Sequence, residues 1–152
     1  MVWKDYFVSI AEQVKEKSKD IKTKIGAVIV GKDNEILSTG YNSFPRGLKD
    51  NLRERQERPE KYYWFEHGER NAIYNAARIG VSTKGCTMYL SCGIPCVDCA
   101  RGIINAGITR IFCERGVTTK GKHWEENYHR SFDMLEEAEI NVQFYDNEYG
   151  GL

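Results

Sequence analysis

The chain has no charge to spare: 22 lysines and arginines are balanced by 22 aspartates and glutamates over 152 residues. A general electrostatic grip on nucleic acid or an anionic membrane needs an excess of positive charge, so small molecules are the expected partners. No apolar run is long enough for a signal peptide or membrane span, and the opening MVWKDYFVSIAEQVKEKSKD is broken by Lys4, Asp5 and Glu12. A cytoplasmic location is therefore expected. Internal repeats, low-complexity tracts and a linker to a second domain are absent too. With 41% hydrophobic residues, the sequence predicts one domain, 1–152, around one core. The cysteines, Cys86, Cys92, Cys96, Cys99 and Cys113, are odd in number. In a non-secreted chain that favours thiols or metal ligands over a disulfide framework.

What is present reads as alternating elements. Trp3, Tyr6, Phe7, Ile10, Ala11 and Val14 recur at helical spacing and predict an amphipathic first helix. Ile25 to Val30 and Glu35 to Tyr41 flank the turn-rich GKDN and predict a β-hairpin. Asn42 to Trp64, with Pro45, Pro59 and mixed charges, lacks periodicity and reads as a functional loop or lid whose arginines form a solvated surface. Within the run Tyr62 to Phe65, packing in the core or between subunits is the expected role. Beyond it come a helix through Arg78, strands near Thr87–Ser91, Arg110–Cys113 and Asn141–Tyr145, and helices near Cys96–Ala106 and Trp124–Ala138. Strand–helix alternation requires crossovers, so the expected fold is a three-layer α/β/α sandwich with a mixed five-stranded sheet, its later half parallel.

Two stretches carry chemistry. In FEHGERNAIYNAAR, His67 and Glu69 are two residues apart, and at about 100° per residue they diverge within a regular helix. They converge only at a helix start, where Gly68 permits close backbone approach. In IPCVDCARGIINAGI, Cys96 and Cys99 have the gap that lets two thiolates hold one metal ion, with Pro95 just ahead of the helix. Two cysteines and a histidine supply three of zinc's four positions and leave one open for water, as a catalytic site requires. Glu69 is then the expected proton shuttle, and hydrolytic deamination of an aminated aromatic base is the reaction this set fits. Cys86, Cys92 and Cys113 read as small core residues, Cys92 being near enough to serve as an alternative ligand. His123 and His129 read as exposed or capping residues, with His123 and Lys122 able to meet an anion.

At these residues the sequence resembles the deoxycytidylate (dCMP) deaminase family of the zinc-dependent cytidine deaminase superfamily. SKDIKTKIGAVIV, STGYNSFPRGLKD, HGERNAIYNAAR and PCVDCARGIINAGITRI are similar to family blocks, and WEENYHRSFDMLEEAEINV resembles the closing helix and strand. The resemblance implies zinc on His67, Cys96 and Cys99, Glu69 as the catalytic group, and a free nucleotide as substrate. It places the Gly68 amide on the base carbonyl, Asn42 on the sugar, Arg78 on the 5′-phosphate and Ser91 in the base pocket. It also implies homo-oligomers, hexamers or dimers, with dCTP and dTTP as effectors. The sequence departs from the family in His-Gly-Glu for His-Ala-Glu, in a longer SCGIPC loop, and in Arg115 and Gly116 where a phosphate-contacting tyrosine is expected. Those departures keep dCTP, a 5-modified cytidine nucleotide or another aminated base as alternative substrates. A nucleic-acid-editing deaminase and a non-catalytic nucleotide sensor are the remaining readings.

Overall fold

The computed structural model describes residues 1–116 and 121–146. Five strands form one mixed sheet in the order β2-β1-β3-β4-β5. Strands β1 (Gly26–Val30) and β2 (Ile36–Tyr41) make an antiparallel hairpin, closed by a turn in which Asn34 takes a left-handed φ of 63°. Asparagine is among the few non-glycine residues that tolerate that conformation. On its other edge β1 pairs antiparallel with β3 (Thr87–Leu90), which is parallel to β4 (Arg110–Glu114), itself parallel to β5 (Asn141–Tyr145). The parallel half is the half with helical crossovers, as the alternation in the sequence requires.

Helices cover both faces. Along β1 the side chains alternate, with Val28 and Val30 packing beneath α1 (Trp3–Val14) and Ala27 and Ile29 facing the larger core. That core is shared by α3 (Gly68–Ile79), α4 (Val97–Asn105) and α5 (Lys122–Glu137). Buried on both faces, β1 reads as a continuous apolar run rather than an alternating one. Among the described residues no helix is long and apolar enough to cross a membrane.

The segment before α3 contains a 3-10 turn, Arg53–Gln56, and the four-residue helix α2 (Lys61–Trp64). Its aromatic run divides by position. Phe65 packs on Phe44 with ring centroids 4.2 Å apart, whereas Tyr62 and Tyr63 are exposed.

Gly40 sets the distance between β2 and α3. A Cβ there would lie 2.2 Å from the Ala72 amide nitrogen and 2.5 Å from the Gly68 carbonyl oxygen, both backbone atoms that cannot turn aside. Gly40→Ala is expected to cost about 3 kcal/mol by forcing strand and helix apart. A denaturant midpoint unchanged from wild type would contradict this.

Candidate active site

Helix α3 begins at Gly68, and His67 precedes it with extended dihedrals, φ −75° and ψ 151°. His67 is thus released from the helical 100° step, and it lines the same cavity as Glu69. Cys96 occupies the equivalent position ahead of α4, with Cys99 in its first turn. The two helix starts face each other. His67 Nδ1 lies 3.5 Å from Cys96 Sγ and 3.4 Å from Cys99 Sγ. A tetrahedral zinc with its usual bond lengths holds nitrogen and sulfur ligands about 3.5 Å apart, so both histidine–cysteine separations match that ion, and all three ligand atoms lie within 4.8 Å of one another.

Hydrogen bonds from α5 brace the cysteine loop. Asn127 Oδ1 accepts the Val97 amide at 3.0 Å, and the fully buried Ser131 hydroxyl donates to the Pro95 carbonyl at 2.6 Å. Arg70 bridges the helix starts, 2.6 Å from Glu66 and 3.7 Å from Asp98.

Glu69 is 3% exposed, and its Oε1 has no hydrogen-bond partner among the described residues. Burial pushes its carboxyl pKa up, against the pull of the neighbouring His67. A carboxyl tuned this way exchanges protons nearer neutrality than an exposed glutamate does. The thiols are split in character. Cys96 is held well below the ordinary thiol range, first by its hydrogen bond with Cys99 and then by His67. The partner in that bond, Cys99, is pushed up by the same contact and by burial.

His67, Glu69, Arg70 and Cys96 line a cavity of about 500 Å³, with Cys99 buried behind Cys96 and His67. That is within the roughly 300–1,000 Å³ range of small-ligand sites. Ile25, Phe65, Ile94, Trp124 and Tyr128 give it apolar and aromatic walls. Asn42 lines it, but its side chain is nearly saturated. Nδ2 donates to the Thr23 carbonyl at 2.7 Å and to Asp20 at 3.3 Å, while Oδ1 accepts the Ile25 amide at 2.8 Å. One lone pair on Oδ1 is left for a ligand. As the first residue of α3, Gly68 has an amide with no acceptor within the helix. A Cβ on Gly68 would press the Ile25 carbonyl at 3.1 Å, so the glycine admits the neighbouring strand and opens no void.

Two expected contacts are not brought to this cavity. The Ser91 hydroxyl accepts the Gly26 amide at 2.8 Å and joins β3 to β1. Arg78 is exposed near the far end of α3 and lines a separate cavity of about 550 Å³ with Arg46, Lys17 and Lys19. Arg115 pairs with Asp146 at the surface, 3.0 Å away.

Residues 1–115 match the family described as the cytidine and deoxycytidylate deaminase zinc-binding region. The chain belongs to the cytidine and deoxycytidylate deaminase family. Among family relatives, an uncharacterized deaminase in the luxG 3′ region of Aliivibrio fischeri is 36% identical over 92% of this chain and 91% of its own length. Deoxycytidylate deaminase of Mus musculus is 38% identical over 72% of this chain, which spans only 62% of that relative's length. The crystal structure of dCMP deaminase from the cyanophage S-TIM5 superposes with a TM-score of 0.73 at 25% identity, covering 93% of this chain and 96% of that one.

For a family deaminase, the sequence left several cavity residues unremarked. Arg58 and Lys61 reach the cavity from a segment without periodicity. Asn127 had a detectable signal, since with Trp124, Tyr128 and Ser131 it follows the three- and four-residue spacing of one helix face. His123 is exposed, as expected, and also lines the cavity.

Proposed function

We propose that this chain is a zinc-dependent hydrolytic deaminase of a free cytosine nucleotide, converting dCMP and water to dUMP and ammonia, within one deaminase-like domain. The observation that carries this reading is Glu69, a buried carboxyl whose Oε1 has no partner among the described residues, in one cavity with His67 and Cys96 of the zinc-compatible set His67, Cys96 and Cys99. The relatives named as deoxycytidylate deaminases support dCMP as the substrate.

Zinc on His67, Cys96 and Cys99 would lower the pKa of its water from 15.7 to about 7, supplying a nucleophile near neutral pH. Glu69 does the proton work. Both protons of the water pass through its carboxylate, one to ring N3 and one to the departing 4-amino group. The Gly68 amide donates to the O2 carbonyl of the base, and the remaining lone pair of Asn42 Oδ1 accepts a sugar hydroxyl. The aromatic walls exclude bulk water and stack on the ring.

The second cavity, beside the segment after β2, is the proposed place for dCTP or dTTP as effectors. Its arginines and lysines suit a polyphosphate. Assembly as a homo-oligomer, hexamer or dimer, goes with this reading. Five free cysteines, all buried, fit a reducing cytoplasm.

The test is ammonia release from dCMP, dCTP, CMP, deoxycytidine, 5-methyl-dCMP and dAMP by the zinc-loaded chain. Fastest turnover is expected with dCMP. Preferred release from another member would retain the chemistry and reassign the base or phosphate, and silence across the panel would overturn the reading.

A further inference from the structure

Besides His67, which belongs to the proposed metal site, four basic side chains line the cavity holding Glu69: Arg58, Lys61, Arg70 and His123. Their partners differ. Arg70 is held by Glu66 and Asp98. Lys61 Nζ sits 2.7 Å from Asp20, a 4% exposed carboxylate that also accepts the Lys22 and Thr23 amides and the Asn42 side chain. So anchored, the ammonium still has two of its three donors to offer. Arg58 stands over the Tyr62 ring at 5.3 Å and has no carboxylate within ion-pair distance among the described residues. Of the three permanently charged side chains, its guanidinium, on the exposed rim, is the one without a carboxylate partner among the described residues.

We propose that Arg58 and Lys61 form a phosphate-reading end of this cavity, so that the 5′-phosphate of the nucleotide is bound by the same protomer that deaminates its base. This inference rests on the nucleotide reading above and specifies how that site tells a nucleotide from a nucleoside. The guanidinium presents its planar fork to two phosphate oxygens, and the neighbouring ammonium supplies a point charge already fixed in place by Asp20. Aromatic and aliphatic walls share the cavity with this rim and with Glu69, a mixed lining that suits a ligand with an apolar ring and a dianionic group. Arg78 cannot play this part in its own protomer. It is nine residues beyond Glu69 on α3, about 13 Å along the axis, and it opens into the other cavity.

The segment that carries both residues is also tied to the rest of the site. Through Asp20 the ammonium of Lys61 shares a carboxylate with Asn42, the residue proposed for the sugar. Phosphate and sugar recognition are thereby connected by one buried anion.

The experiment compares Arg58→Ala, Arg58→Lys and Arg78→Ala in the zinc-loaded full chain, with kcat/KM for dCMP and deoxycytidine and calorimetric binding of dUMP. Arg58→Ala is expected to lower kcat/KM for dCMP and weaken dUMP about tenfold or more, mainly through KM, with deoxycytidine unchanged within about twofold. Arg58→Lys should recover part of the loss. Equal effects on nucleotide and nucleoside, or a phosphate-selective loss in Arg78→Ala with Arg58→Ala silent, would overturn the inference and leave the deaminase reading standing. A wild-type chain that neither turns over dCMP nor binds dUMP overturns both.

Discussion

Glu69→Gln is expected to reduce deamination about 10²- to 10⁴-fold, the usual contribution of a positioned general acid–base group. Glutamine keeps the volume of the side chain in a site that is 3% exposed, so packing is preserved while the proton-carrying oxygen is lost. Zinc content and melting temperature should therefore stay near wild type. The ligands His67, Cys96 and Cys99 do not depend on a charge at residue 69 for their geometry, since their mutual distances are set by the two helix starts. Metal analysis and a thermal melt beside the assay check this. Full activity in the variant would remove Glu69 from proton transfer.

Removing a ligand should do the opposite and take stability with activity. Cys99→Ala is expected to abolish turnover and to lower bound zinc from one per chain to near none. A native-state ligand at a thousandfold excess over its dissociation constant contributes about 4 kcal/mol, so the variant should melt well below the zinc-loaded wild type. Dialysis of the wild type against a chelator should give the same loss, and added zinc should reverse it there and not in the variant. Cys99 has no exposed area, which gives the alanine a small cavity cost of its own. The chelated wild type isolates the metal's share.

The elements with strong periodicity are legible in the sequence. The first helix, the hairpin and the three parallel-half strands lie within a residue or two of their expected bounds. The helix start between His67 and Glu69 is legible for a geometric reason, because only a break from the 100° step lets both side chains face one site. What stayed hidden depended on tertiary placement. Arg58 and Lys61 sit in a stretch without periodicity, and nothing local says that it folds back over the cavity. Ser91 is expected at the base, yet it does not line the cavity, and its hydroxyl accepts the Gly26 amide from a residue distant in sequence. Arg78 shares a helix with Glu69, and only the orientation of α3 against β2 shows that the two open into different cavities.

The bracing of the cysteine loop by Asn127 and Ser131 also sets an order of events during synthesis. All three metal ligands leave the ribosome before α5 does, so for a time the loop around Pro95 and Val97 lacks the two partners that hold it. Until the chain has grown past residue 131 and α5 has docked, the cysteine loop lacks these two hydrogen bonds. Stable metal loading is thus expected to follow the docking of α5, so a chain truncated before α5 should bind zinc more weakly than the full chain.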